Sequence, residues 1–254
     1  MPLLPEYRLE GRVAILATSD GDEAPILAQA LAEGGATVFT VARQQAKLDA
    51  VLSALAQSSG DAHSGVVANL GTNEGLNQAM TSFDQQHRQV DILVNDARSM
   101  LAKPFTDISS AEWEEVYSRN VRSTFNICQE AGRRMIGGAY GRIVNLISGL
   151  AERGMINGSA FSASQAALLS LTRSLAVEWG QHNIRVNALG TGWTIAEEVP
   201  LEVQQEELLV RYTPLRRKGH PRDIGPLLVY LCSEACDYTT GQPVYVDGGL
   251  NAHP

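Results

Sequence analysis

Short apolar runs alternate with stretches of helical spacing along the whole chain. Arg12-Val-Ala-Ile-Leu-Ala17 reads as a strand, Ala24 to Gly34 has helical spacing with Gly34-Gly35 as a stop, and Thr37-Val-Phe-Thr-Val-Ala42 is again strand-like. That unit has the length of a βαβ crossover. Helical spacing over 44–57 and 73–88 then alternates with strands near 64–68 and 91–94. A long helix is predicted from Ser109 to Met135, opened by Ser109-Ser-Ala-Glu112 in the form of a capping box. Gly141 to Ile147 is a fifth strand, Ala160 to Trp179 a helix and Ile184 to Leu189 a sixth strand. Beyond it, Gly192 to Arg211 is less regular and acidic, before a helix over Arg222 to Cys232 and a last strand over Pro243 to Val246. Strands joined by helices imply parallel pairing, because parallel neighbours need a crossover. With no repeat, low-complexity tract or linker, one α/β domain over 1–254 is expected: a doubly wound parallel sheet with helices on both faces.

Composition narrows the function classes. The net charge of −8 is spread along the chain, with no basic stripe, which argues against nonspecific nucleic-acid binding. Met1 to Gly11 has no basic segment leading into an apolar one, and there is no uninterrupted apolar run of about 18 residues. A soluble cytoplasmic protein without membrane association is the expectation. Cys128, Cys232 and Cys236 are too few for a disulfide framework, and Cys232/Cys236 is not a C-x-x-C pair; placed on one helix they would share a face as small buried hydrophobes. His63, His87, His182, His220 and His253 lack ligand spacing, so no metal is expected.

Six segments carry a resemblance. Leu9-Glu-Gly-Arg-Val-Ala-Ile-Leu16, Asp91-Ile-Leu-Val-Asn95, Asn120-Val-Arg-Ser-Thr-Phe125, Arg142-Ile-Val-Asn145, Asn183-Ile-Arg-Val-Asn-Ala188 and Tyr238-Thr-Thr-Gly-Gln-Pro-Val-Tyr-Val-Asp-Gly-Gly249 occur in the order seen in classical short-chain dehydrogenases/reductases. The chain resembles that family over nearly its whole length, and the resemblance implies a Rossmann-type fold.

The resemblance also shows what is missing. Members of the family follow the first strand with Thr-Gly-x-x-x-Gly-x-Gly, whose glycines let the backbone approach the cofactor's pyrophosphate at a helix N-terminus. Aligned on Val13-Ala-Ile-Leu16, this chain places Thr18, Asp22 and Ala24 at the three glycine positions. Gly21 lies one place off register, where it would rescue the turn geometry. Asp20, Asp22 and Glu23 would set carboxylates against a diphosphate. After the fourth strand the family's Asn-Asn-Ala-Gly is Asn95-Asp96-Ala97-Arg98; the expectation is that Arg98 fills the dinucleotide cleft and pairs with Asp20 or Asp22, the alternative being an arginine snorkelling at the surface. Thr191-Gly192 stands where the family has Pro-Gly.

At the catalytic positions, Asn120 and Ser148 match the family's asparagine and serine, but Phe161 and Gln165 replace the tyrosine and the lysine. Phe161 has no proton to transfer and Gln165 no charge to stabilise a phenolate. Halohydrin dehalogenases, which share the fold, keep the tyrosine, so Phe161 excludes their mechanism as well. Ser148 as an esterase-like nucleophile would need an adjacent base and a Gly-x-Ser-x-Gly elbow; Leu146-Ile-Ser148-Gly-Leu150 lacks the first glycine, and a loop-capping serine is the simpler reading.

The resemblance places the family's association surfaces in Asn126 to Arg134, Ser164 to Trp179 and Pro214 through Gly249, where this chain matches best; Ser170 to Val177 would pack across a two-fold axis. The expected function is a non-catalytic subunit in a mixed oligomer, a heterotetramer, whose catalytically complete paralogue brings the NAD and the Tyr/Lys pair. This chain would hold no cofactor. The pattern of losses resembles a two-subunit dehydrogenase acting on a hydroxyacyl CoA thioester in aromatic hydrocarbon catabolism. Two alternatives stand beside it: a homo-oligomeric pseudoenzyme that binds a small molecule in the old substrate cleft, and an unconventional enzyme using Ser148 and Asn120. Residues 193–212 correspond to the family's substrate lid, and their acids read as a solvated helix face.

Overall fold

Apolar residues fill consecutive positions of the inner strands because both faces of the sheet are covered. The computed structural model describes residues 5–18, 21–56 and 63–252. Among these residues seven strands, β1 (Val13–Thr18), β2 (Thr37–Ala42), β3 (Ser64–Val67), β4 (Ile92–Asp96), β5 (Gly141–Ser148), β6 (Ile184–Thr191) and β7 (Pro243–Val246), form one sheet of order β3-β2-β1-β4-β5-β6-β7. Every pairing is parallel. The doubly wound α/β expectation holds.

The period-2 geometry of a strand sorts its side chains between two cores. Ala14, Leu16, Ile92 and Val94 face α1 (Ala24–Glu33), α2 (Gln45–Leu55) and α9 (Pro221–Cys232), packing with Leu27, Leu31 and Leu228. Ile15, Phe39, Leu93 and Ile143 face the opposite layer, α3 (Asn73–Asp84), α5 (Ser123–Gly138) and α6 (Ser159–Trp179), packing with Phe83, Ile127 and Met135. Strand order reverses at β1, which has β2 on one side and β4 on the other. The crevice at the C-terminal ends of those strands is where a sheet of this topology presents its site.

One expectation about a helix is corrected. The long helix expected from Ser109 to Met135 is three pieces: α4 (Ser110–Tyr117), a π-helical turn (Ser118–Arg122) and α5. The π turn carries Asn120, which is fully buried, and a wider turn of this kind is a common device for re-aiming a side chain at a site. The capping box at its start is present, with Ser109 N donating to Glu112 Oε2 at 2.8 Å and Glu112 N donating to Ser109 Oγ at 3.3 Å. Cys232 and Cys236 do not share a helix: Cys232 ends α9 and Cys236 lies in the 3-10 turn after it, because Ser233 leaves the helix in extended conformation and caps that turn. Both thiols are buried, as expected of small hydrophobes. The lid-like segment is two short helices, α7 (Leu201–Gln204) and α8 (Leu208–Tyr212), and among the described residues no helix is long and apolar enough to cross a membrane.

Candidate functional site

The strand ends are level, which brings the candidate residues together. Thr18 pairs in register with Asp96, and Ser148 with Thr191. Phe161 and Gln165 face this edge from the first turns of α6, and both are buried.

Gln165 is held by two backbone groups. Its Oε1 accepts from Ser148 N at 2.9 Å and its Nε2 donates to the carbonyl of Ala97 at 3.2 Å, so one side chain ties α6 to the ends of β5 and β4. Ser148 Oγ accepts from Leu150 N at 3.2 Å, the loop cap expected of it, and among the described residues no histidine or carboxylate hydrogen-bonds its hydroxyl. Asn120 accepts from Ser99 N at 2.8 Å and donates to Ser99 O and to Ser164 Oγ, each at 2.9 Å, which commits both amide protons. Ser164 in turn donates to the Phe161 carbonyl at 2.7 Å. Beneath them, Asn95 donates to Asn145 at 2.8 Å and Asn145 to Thr172 at 2.9 Å, a buried polar ladder from β4 through β5 to α6. Two of the motif asparagines are therefore fold-determining. Burial pushes the nearby Cys128 thiol up to about 12, against the Asn95 hydrogen bond that lowers it. An un-ionised thiol of this kind is inert.

The crevice between β1 and β4 departs from expectation in its partners. Thr18 ends β1, buried; Ala24 opens α1, buried; Asp22 projects outward and pairs with Lys47 at 2.5 Å. Asp20 lies outside the described residues. Gly21 lines the crevice, where a Cβ would lie 3.6 Å from Asp96 Oδ2, an ordinary contact.

Arg98 does enter the cleft, but it does not pair with Asp22, and the other partner expected for it, Asp20, lies outside the described residues. Its Nε donates to Asp96 Oδ1 at 2.7 Å, its Nη1 to Thr191 Oγ1 at 2.5 Å and its Nη2 to Glu23 Oε2. Thr194 Oγ1 donates to the other oxygen of Glu23. The reason is local: Glu23, in helical conformation just before α1, makes no capping bond of its own and turns its carboxylate over the crevice, whereas Asp22 faces Lys47 on the surface. Arg98 is 13% exposed, which rules out the snorkelling alternative. Although burial opposes its charge, Asp96 and Glu23 raise the guanidinium pKa and keep it protonated. Burial raises the Asp96 carboxyl, against the lowering pull of Arg98, and its Oδ2 has no hydrogen-bond partner among the described residues. One arginine thus clamps β4, β6, the start of α1 and the root of the lid.

Beside this clamp lies a cavity of about 570 Å³. Met100, Leu150, Met155, Phe161, Trp193 and Ile195 supply apolar walls, and Ser148, Arg98, Arg153 and Asn251 reach it as polar groups. Glu23 and Thr191 stand out in the sequence, the one in the acidic turn and the other in place of the family's proline, but not as partners of Arg98; Thr194 and Arg153 carry no such signal. Among the described residues no group of three or more His, Cys, Asp and Glu side chains is arranged to hold a metal ion.

Residues 24–251 match a family model described as enoyl-(acyl carrier protein) reductase. The match starts at the first residue of α1 and leaves out β1 and the turn after it. The chain is 33% identical over 248 residues to a 3-oxoacyl-[acyl-carrier-protein] reductase of Aquifex aeolicus, covering 96% of this chain and 99% of that protein. A gluconate 5-dehydrogenase of Burkholderia cenocepacia, solved with NADP and tartrate, superposes with a TM-score of 0.87 at 27% identity, over 98% of each chain. A short-chain type dehydrogenase/reductase of Mycobacterium marinum superposes with a TM-score of 0.88 at 27% identity, over 98% of this chain and 99% of that one.

Proposed function

Because the chain belongs to the classical short-chain dehydrogenase/reductase family, we propose that it is a non-catalytic member, working as one subunit of a dehydrogenase whose reaction takes place on a complete paralogue. The observation that carries this reading is the Arg98 clamp together with Gln165. The crevice where a diphosphate would meet backbone amides holds Glu23 and Asp96 instead, drawn onto a buried guanidinium that belongs to the chain itself. An incoming diphosphate would have to part these ions, and it would face carboxylates in doing so. Gln165 is fixed between Ser148 N and Ala97 O, and Phe161 offers no proton, so the residues suit neither the cofactor nor its chemistry.

The partner subunit brings the NAD and the Tyr/Lys pair in a heterotetramer. The named relatives are reductases and dehydrogenases, and the partner's reaction is of that class: oxidation of a secondary alcohol to a ketone. The coordinated losses resemble those of the inactive subunit of 2-[hydroxy(phenyl)methyl]succinyl-CoA dehydrogenase of anaerobic toluene degradation; on that resemblance the substrate is a hydroxyacyl CoA thioester and the location the cytoplasm. Association through α6 is supported by Val177, which is 85% exposed on that helix.

A second reading, a homo-oligomeric pseudoenzyme, is favoured by one observation, the open cavity beside the clamp. An enzyme built on Ser148 and Asn120 has less support, since the serine has no hydrogen-bonded base and both asparagine amide protons are committed. The test is purification with and without a complete paralogue that carries the Tyr/Lys pair. The account expects this chain to show no alcohol oxidation alone and to co-purify with a Tyr-x-x-x-Lys paralogue that needs it for full activity. A stable homotetramer that ignores the paralogue would favour the pseudoenzyme.

A further inference from the structure

The cavity has a cation with no carboxylate partner. Of the two arginines that line it, Arg98 is neutralised by Asp96 and Glu23. Arg153 forms no ion pair among the described residues. Its Nη1 donates to the carbonyl of Leu250, which lies in a 3-10 turn (Leu250–Ala252) held in place by Asp247: Oδ1 accepts from Gly249 N at 2.9 Å and Oδ2 from Asn251 N at 2.8 Å. That anchor fixes one corner of the guanidinium. The Nε and Nη2 edge remains, and this edge is the fork that meets a carboxylate with two parallel hydrogen bonds.

We propose that the cavity binds an aromatic monocarboxylate, with Arg153 as the anchor for its carboxylate. The remaining walls choose the rest of the molecule. Met100, Met155, Phe161 and Trp193 present two thioethers and two ring systems, surfaces that favour an aromatic body over a polar one. Glu197 stands exposed at the rim, and Asp22 and the clamp carboxylates of Glu23 and Asp96 also line the cavity; together they repel a second negative charge, so the ligand carries one. The volume lies within the range of about 300–1,000 Å³ usual for small-molecule sites. Phe161 has a role in this arrangement: a tyrosine there would place a hydroxyl against the ring of the ligand. The inference deepens the reading that this chain has lost its dinucleotide, but it does not need a partner subunit.

Calorimetric titration of the full chain with 3-phenylpropanoate, and with 3-phenylpropanamide as the neutral isostere, tests it. The acid should bind saturably and at least about tenfold more tightly than the amide, the factor that 1.4 kcal/mol represents. Arg153→Gln should erase that preference and Arg153→Lys should keep part of it. Equal affinity for acid and amide, wild-type affinity in Arg153→Gln, or no saturable binding of the acid up to about 1 mM overturns the proposal. If Arg153→Gln fails to fold, the comparison of acid with amide in the unaltered chain decides alone. Repeating the titration with NADH present separates the two readings: nicotinamide binding would overturn the loss of cofactor and leave the assignment of Arg153 standing.

Discussion

Arg98 Nε lies 2.7 Å from Asp96 Oδ1, the last residue of β4 two positions earlier, and the same guanidinium reaches across the crevice to Glu23. A local contact to the end of β4 and a contact between elements are thus made by one buried group. Removing one member of such a cluster leaves the other charges uncompensated in a poorly solvated place, at a cost of about 3–5 kcal/mol. Arg98→Ala is expected to lose stability of that size in urea or guanidinium unfolding at neutral pH, and the lid should become more open to proteolysis, since Thr194 hangs from Glu23. A loss under 1 kcal/mol would place Arg98 on the surface after all.

The same cluster sets a pH dependence. Burial raises the folded-state pKa of Asp96 above its ordinary 3.8, with Arg98 opposing. Over the window between 3.8 and that raised value the folded chain holds a proton that the unfolded chain has released. Stability from this group is therefore complete below the window and declines as pH rises through it. Without the opposing guanidinium the window extends further upward. The deficit of Arg98→Ala should accordingly be smaller near about pH 5 than near about pH 8. A deficit that does not change with pH would contradict a buried carboxyl at position 96.

Gln165 is expected to be a stability residue. Gln165→Ala strands the Ser148 amide and the Ala97 carbonyl, and each buried unpaired group costs about 1–3 kcal/mol. Urea denaturation of the purified variant reads this directly. The double variant Phe161→Tyr/Gln165→Lys restores the family's pair in name, yet it should show no NAD- or NADP-dependent alcohol oxidation above the buffer rate, because the Arg98 clamp remains. Turnover by that variant would show that the crevice still accepts a dinucleotide.

How much of this was open to sequence reading depended on whether a feature is local. Strand and helix identity follow from periodicity, and the sheet from the alternation of the two. The replaced residues at 161 and 165 are visible in the sequence because they stand at fixed spacing from Ser148. The π turn at Ser118–Arg122 has no comparable signal, since its wider spacing is set by Asn120 reaching Ser99 and Ser164. The sequence announces Arg98 as a long cation in a place for glycine, but not its partners: Asp22 and Glu23 are adjacent and alike in charge, and only the backbone direction at the start of α1 separates the one that faces Lys47 from the one that faces the crevice. Arg153 is still less predictable, because its meaning depends on a carbonyl 97 residues later in the chain.

The exposed face of α6 carries the proposed association. Val177→Arg changes an exposed position, so the isolated chain should keep its melting temperature within about 2–4 °C, the shift that about 1 kcal/mol produces in a domain of 150–250 residues. Co-purification with the paralogue should be lost. Retention of the complex would move the interface elsewhere.

On the proposed reading, this chain has exchanged its dinucleotide for a clamp of its own side chains. Equilibrium titration of the purified chain with NADH and NADPH, followed by nicotinamide fluorescence in the absence of any partner, measures that most directly. No saturable binding of either is expected up to about 1 mM, equivalent to less than about 4 kcal/mol of binding free energy. Saturable micromolar binding of either cofactor to this chain alone would contradict it.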